Sequence, residues 1–249
     1  MRLIVDGDII AYAAAFVAPQ NEDKAISRVN SMLDNVTHGC FLEHKDLDIY
    51  VKGKDNFRDE YDFYKAGRAP SEEKLKERAK RPDTLAVTHA YLAEMGYLAD
   101  GGEADDYCLA RAQELKDAGE DYIICSIDKD LKQMPGKHQN THSGEITVIS
   151  DEQAEFWLLQ QCLTGDAADD IPGIRGIGPA KSKKYLNLFK PNERRAAILD
   201  KYREVWPEDE AVERLSACWN CVYIRKDLND LKILPLPDEF FNKGKQNEN

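Results

Sequence analysis

No apolar run in the 249-residue chain approaches the ~20 residues that a membrane span requires. The opening residues, Met1-Arg-Leu-Ile-Val-Asp6, also lack the charged-then-apolar pattern of a secretory signal. A soluble, cytoplasmic protein with no membrane partner is therefore expected. Histidine is scarce, at five residues, and no Ser-His-Asp or Cys-His arrangement stands out to support nucleophilic catalysis. His138 and His142 have an H-x3-H spacing, but they follow Pro135-Gly136 in a turn-rich stretch, so a surface loop is expected there. Cysteine is present six times, mostly inside apolar segments. Cys218-Trp-Asn-Cys221 has no second CxxC or His pair to complete a zinc site. Buried thiols in a reducing compartment are expected. A basic excess is missing too. The net charge is −12, and generic nucleic-acid binders are basic. That objection holds unless many of the acids are metal ligands, because bound divalent ions would cancel their charge locally. There is no internal repeat and no long low-complexity linker.

What remains is a chain 42% hydrophobic and 32% charged, enough for one domain with an appendage or for two small domains. Arg2-Leu-Ile-Val-Asp6 predicts a buried strand, and Ala11 to Val17 a helix. Ile26, Val29, Leu33 and Val36 recur at helical spacing, and Leu47, Ile49 and Val51 alternate as a strand. Thr84 to Met95 predicts a helix stopped by Gly96. Glu103 to Gly119 predicts another behind Gly101-Gly102, and Tyr122 to Ile127 is the clearest buried strand. Gly144 to Ile149 reads as an edge strand. Ser150 and Gln153 form a capping-box pattern for a helix carrying Phe156, Leu159 and Leu163. Strands alternating with helices predict an α/β fold with a largely parallel sheet. Between Lys52 and Pro82 the composition turns basic, with Arg58, Lys65 and Arg68 interleaved with Phe57, Tyr61, Phe63 and Tyr64. Such a segment reads either as a solvated excursion or as a nucleic-acid clamp. The polar end from Asn242 to Asn249 predicts disorder, and Phe240-Phe241 reads as incidental exposed aromatics rather than a partner hook.

Acids recur at matching ends of these elements. Asp6 closes the first strand with Asp8 two residues on, and Asp128 and Asp130 follow the central strand. Glu103, Asp105 and Asp106 open a helix. Singly, each is an ordinary cap or dipole partner. Jointly, at the carboxyl ends of a parallel sheet, they are crowded carboxylates that repel unless cations join them. Hard oxygen donors select Mg²⁺ or Mn²⁺ over zinc. Two such ions about 4 Å apart activate a water and stabilise a leaving oxygen in phosphodiester hydrolysis. The stretch Leu163–Lys184 adds Asp166, Asp169 and Asp170, which share one face if the segment is helical. Its glycine-rich turn, Gly173-Ile-Arg-Gly176-Ile-Gly178, offers bare amides to a phosphate. Acids that need a metal beside a turn that suits a phosphodiester predict a nuclease.

In order along the chain, DGD, FRDEYDFYKAGRAP, GGEADD, SIDKDLKQMPG, LTGDAADDIPG and GIRGIGPAKSKKYL resemble the motifs of the 5′-nuclease family. That family comprises the phage 5′→3′ exonucleases, the flap endonucleases and the N-terminal nuclease domain of bacterial DNA polymerase I. On size and on DKDLKQMPG the phage exonucleases look most alike. The resemblance covers roughly Arg2 to Leu186. It implies a PIN-like, mostly parallel central sheet flanked by helices, with a helical arch over 52–82 and an α-helical helix-three-turn-helix subdomain. Residues 1–150 would be the nuclease core, 151–236 the DNA-binding subdomain and 237–249 a disordered tail.

By position, the resemblance assigns Asp6, Glu103, Asp105, Asp106, Asp128, Asp130, Asp166 and Asp169 to binding two or so Mg²⁺ ions, with Mn²⁺ able to substitute. It assigns Lys65 and Arg68 to steering the scissile phosphate, with Tyr64 beside them at the base of the arch. Gly173, Gly176, Gly178, Lys181, Lys183 and Lys184 would grip duplex DNA, with K⁺ at the glycine turn. Two positions depart from the pattern. Val51 stands where many relatives have an aspartate, which leaves that ligand missing or supplied by Asp8 or Asp48. Asp170 stands where many relatives have asparagine. The implied function is a metal-dependent 5′→3′ exonuclease with flap-endonuclease potential. Its partners would be DNA with a 5′ end or 5′ flap, and RNA/DNA hybrids, and it would act as a monomer. The alternatives are a PIN-class RNase, disfavoured by the glycine turn and its lysines, and a DNA-structure-binding protein without catalysis.

Overall fold

The computed structural model describes residues 1–40, 42–68 and 81–242, which fall into two compact units. The part of the expected arch over 69–80, and the tail over 243–249, lie outside the described residues.

Among the described residues, the first unit comprises 1–40, 42–57, 81–150 and 224–231. Its centre is β1 (Arg2–Asp6), whose Leu3, Ile4 and Val5 are fully buried. A strand covered on both faces reads as a continuous apolar run, which is how it appears in the sequence. β1 pairs in parallel with β2 (Leu47–Asn56) on one side and β4 (Tyr122–Cys125) on the other. With β3 (Tyr97–Gly101), β5 (Gly136–Gln139) and β6 (Ile146–Ile149), the sheet order is β3-β2-β1-β4-β5-β6. Only β6 runs antiparallel, at the edge, among these pairings.

Alternation along β1 assigns the two faces. Leu3 and Val5 pack with α1 (Gly7–Val17), α2 (Glu22–His38) and α3 (Thr84–Met95), through Ile10, Ala14, Leu33, Val36 and Leu92. Ile4 packs on the other face with Cys108, Leu109, Ala112 and Leu115 of α4 (Ala104–Asp117). Gly7 lets α1 start hard against β2. A Cβ there would lie 2.5 Å from Val51 Cγ1 and 2.8 Å from the Tyr50 carbonyl oxygen.

Two strands do not match the sequence expectation. β3 exposes most of its residues, and β5 reads Gly-Lys-His-Gln, so neither shows apolar alternation. His138, expected in a surface loop, lies buried in β5, where its Nε2 donates to the Met134 carbonyl at 2.8 Å and burial pushes its pKa down. All six cysteines are free thiols, and five of them are buried.

Among the described residues, the second unit comprises 58–68, 151–223 and 232–242. Its helices are α5 (Asp151–Thr164), α6 (Pro179–Leu186), α7 (Arg194–Arg203) and α8 (Glu208–Val222). Leu159, Cys162, Leu163, Leu199, Tyr202, Leu215, Cys218 and Trp219 form their shared core. Phe240, expected in the tail, is 1% exposed and completes this core from a short 3₁₀ turn at Asp238–Phe240.

The segment 58–68 is anchored by Arg58, which is buried rather than part of a basic surface. Its guanidinium donates to the Cys221 and Tyr223 carbonyls, both at 3.1 Å, where the end of α8 favours a cation. Between α5 and α6 the chain forms a small hairpin, β7 (Gly165–Asp166) and β8 (Ile171–Pro172), instead of the helix that would align Asp166, Asp169 and Asp170. Gly165 at φ +64° ends the helix. A Cβ on it would meet the Ile171 carbonyl oxygen at 2.1 Å.

Candidate functional site

In the first unit the acids gather at the carboxyl ends of β1 and β4. Asp6, 3% exposed, caps α1 by accepting from the Ile9 amide at 3.3 Å through Oδ1. Its Oδ2 accepts from the Ser126 hydroxyl at 2.9 Å. Ser126 Oγ in turn accepts from the Asp128 amide at 2.9 Å, and Asp128 Oδ1 accepts from the Asp130 amide at 2.8 Å. One hydrogen-bonded chain thus ties Asp6, Ser126, Asp128 and Asp130 together. Asp128 and Asp130 do not share a strand face, because β4 ends at Cys125 and Asp130 opens a 3₁₀ turn. Ser126 was not singled out in the sequence, although its place between the strand and Asp128 is the signal that could have identified it.

The electrostatics of this end are unfavourable to bare carboxylates. Burial, then the charges of Asp8 and Asp128, push the Asp6 carboxyl up to about 7. Burial, then the charges of Asp6, Asp128, Glu103 and Asp106, push Asp105 well above the carboxylate range. No group of three His, Cys, Asp or Glu side chains stands at metal-ligand distances among the described residues. The donor set still fits a hard divalent cation: it is all oxygen, desolvated and short of positive charge, so a cation would relieve the repulsion.

Some of the expected acids are also tied into the fold. Asp106, fully buried, accepts the Glu103 amide at 2.9 Å on one oxygen and the Arg225 amide at 2.8 Å on the other. It closes the capping box of α4 with Glu103 and pins the segment 224–231. Asp48, one candidate to replace the acid missing at Val51, sits at the opposite end of the sheet. Arg2 and Arg111 both donate to it, Arg111 Nε at 3.0 Å, and hold its carboxyl below the usual range. Asp8 lies near Asp6, accepting from the Lys52 amide at 3.0 Å and facing His89 Nε2 at 3.1 Å. His89 gave no signal in the sequence beyond its place on a helix.

In the second unit the hairpin β7–β8 holds the segment 63–68. The Lys65 amide donates to the Asp169 carbonyl at 2.8 Å, and the Lys65 ammonium lies 3.5 Å from the Asp169 carboxylate. The Gly67 amide donates to Asp170 Oδ2 at 2.6 Å. Asp170 and Lys65 both adopt positive φ, +56° and +52°. Asp170 is thus a backbone clamp, and an amide-bearing side chain could fill the same place. Asp166 accepts the Ala168 amide at 2.7 Å, closing the turn. Tyr64, expected to contact DNA, is 6% exposed in the core of this unit, with the Lys65 ammonium 4.8 Å from its ring centroid. Arg68 ends a 3₁₀ turn at Ala66–Arg68.

The glycine turn follows β8. Gly173 packs against the end of α5, where a Cβ would lie 2.2 Å from the Thr164 carbonyl carbon. Gly176 takes φ +83°, and Gly178 precedes Pro179 at the first position of α6. Lys183 and Lys184 are exposed. Lys181 donates its ammonium to the Gly176 carbonyl at 2.8 Å and so staples the turn.

A family model described as the 5′-3′ exonuclease, N-terminal resolvase-like domain, matches residues 1–160. Among curated proteins, DNA polymerase I of Caldicellulosiruptor bescii is 27% identical over 237 residues, covering 82% of this chain and 26% of that protein. DNA polymerase I of Deinococcus radiodurans is 28% identical over 210 residues, covering 75% and 21%. The chain thus spans about a quarter of the length of these relatives. Among solved structures, a bacteriophage T5 5′-exonuclease with bound zinc superposes with a TM-score of 0.66 at 16% identity, covering 89% of this chain and 86% of that one. A T5 flap endonuclease in a pseudo-enzyme-product complex with DNA and metal ions superposes with a TM-score of 0.61, at 16% identity and 92% and 88% coverage. These superpositions share the α/β fold described above.

Proposed function

Because the chain belongs to the 5′-3′ exonuclease family through its N-terminal resolvase-like domain, we propose that it hydrolyses DNA phosphodiesters from a 5′ end and at 5′ flaps. The observation that carries this reading is the buried Asp6 at the end of β1, joined through Ser126 to Asp128 after β4, with Asp105 of α4 close enough for the charges of Asp6 and Asp128 to push its carboxyl up. A fold places uncompensated carboxylates there at a cost in stability unless cations offset their charge.

Asp6, Glu103, Asp105, Asp106, Asp128 and Asp130 are the acids of the first unit that would hold Mg²⁺, or Mn²⁺ in its place. Asp166 and Asp169 are those of the second unit. Two such ions supply an activated water and a stabilised leaving oxygen. Ser126 fixes the Asp6 carboxylate, and Glu103 caps the helix that presents Asp105. Lys65 and Arg68 are assigned to the scissile phosphate, Lys65 being held by its backbone bond to Asp169.

Gly173, Gly176 and Gly178 would let the duplex backbone approach, with Lys183 and Lys184 paired to phosphates. K⁺ at this turn would share the Gly176 carbonyl with the Lys181 ammonium. RNA annealed to DNA is a second substrate, and the active form is a monomer in the cytoplasm. Cleavage of end-labelled flap and blunt duplexes in Mg²⁺ and in EDTA tests the reading. Metal-dependent products released from the 5′ end support it, and products released from the 3′ end contradict it.

A further inference from the structure

Val51 of β2, fully buried, follows Tyr50, the residue that pairs with Asp6 of the neighbouring β1. The carboxylate that reaches this part of β2 comes from elsewhere in the chain. Asp8 leaves the first turn of α1 and reaches the amide of Lys52, the residue after Val51, at 3.0 Å. On the same oxygen it meets His89 Nε2 of α3 at 3.1 Å. Oδ1 is thus fixed by two donors, and Oδ2 has no protein partner among the described residues. The side chain keeps 30% of its surface open.

An acid serving only the helix dipole has no need to bridge to a strand and a third element. A carboxylate with one oxygen held and the other free is instead oriented as a ligand, with a histidine behind it setting its direction.

We propose that Asp8, positioned by His89 and the Lys52 amide, is a divalent-metal ligand that supplies over β2 the carboxylate that Val51 does not. The inference rests on the metal-dependent reading above and names a residue of the same site. His89 is a positioning residue: it touches the ligand and not the ion.

Mn²⁺ binding to the DNA-free chain, read by electron paramagnetic resonance and by calorimetry, provides the test. Asp8→Asn keeps an oxygen for the Lys52 amide and removes the charge. Asp48→Asn, at the far end of the sheet, is the control. Asp8→Asn should weaken Mn²⁺ binding about tenfold or lose an ion from the stoichiometry, and His89→Ala should weaken it several-fold. Melting in EDTA checks that each variant is folded, and His89→Ala decides if Asp8→Asn is not. Affinity and stoichiometry equal to wild type in both variants would overturn the proposal and leave Asp8 as a helix and strand tie. A wild-type chain that neither binds Mn²⁺ nor cleaves DNA would instead remove the nuclease reading itself. The two failures are thereby distinct.

Discussion

At Asp6, burial and the charges of Asp8 and Asp128 set the carboxyl at about 7, whereas an unfolded aspartate titrates near ~3.9. The folded chain then holds a proton that the unfolded chain has released, so the contribution of Asp6 to stability falls as pH rises between those two values. In EDTA at pH 8, Asp6→Asn should therefore be more stable than wild type by on the order of 2–4 kcal/mol, and at pH 4 by almost nothing. Urea unfolding at the two pH values measures it. Saturating Mg²⁺ should narrow the gap by binding the ionised form. Asp48 has the opposite sign. Its pKa lies below the unfolded value because of Arg2 and Arg111, so its stabilisation is present above ~4 and lost as pH falls through the folded value. Removing its charge with Asp48→Asn should cost about 3 kcal/mol at pH 7 by leaving the two guanidinium groups without their acid. Cleavage by the surviving folded protein should be unaltered.

Among the elements, the hairpin from Gly165 to Pro172 departs most from a reading by pattern. Asp166, Asp169 and Asp170 have helical spacing, but the backbone of Gly165 and its contact with Ile171 decide the matter. Gly165→Ala should cost about 3 kcal/mol and release segment 63–68, seen as a loss of Lys65-dependent activity before any loss of duplex binding. The turn after it should behave otherwise. Lys183→Ala and Lys184→Ala should each weaken duplex binding uniformly across sequences, lowering the salt slope by about one and leaving melting unchanged.

The strands β1, β2, β4 and β6 and the helices α1 to α5 were legible from apolar pattern and capping residues, whereas α7 and α8 were not individually marked. β5 was not, since its burial comes from neighbours such as the Tyr122 ring against Gly136 and not from its own side chains. Likewise, the residue types at the site could be read from the sequence, but not which carboxylate oxygens are already used. Asp106 accepts an amide on each oxygen, Asp8 takes the Lys52 amide and His89 on one oxygen, and Tyr64 is buried in the core of the second unit.

For the whole molecule, a net charge of −12 and a DNA substrate are compatible only if charge is organised locally. Asp6, Asp8, Asp105 and Asp128 influence one another at one end of the first unit's sheet, and the exposed lysines of α6 lie in the second unit. Duplex binding should therefore weaken steeply with salt and strengthen with divalent ions, by more than their effect on ionic strength alone.

The direct test of the account is cleavage of a 5′-flap substrate labelled at either end, with wild type and Asp128→Ala compared in Mg²⁺ and in EDTA. Products should appear from the 5′ side in Mg²⁺ alone and be reduced in the variant at least about a thousandfold, the order expected for loss of an essential catalytic group. Cleavage by Asp128→Ala at the wild-type rate, or DNA binding by wild type with no cleavage in Mg²⁺ or Mn²⁺, would contradict it.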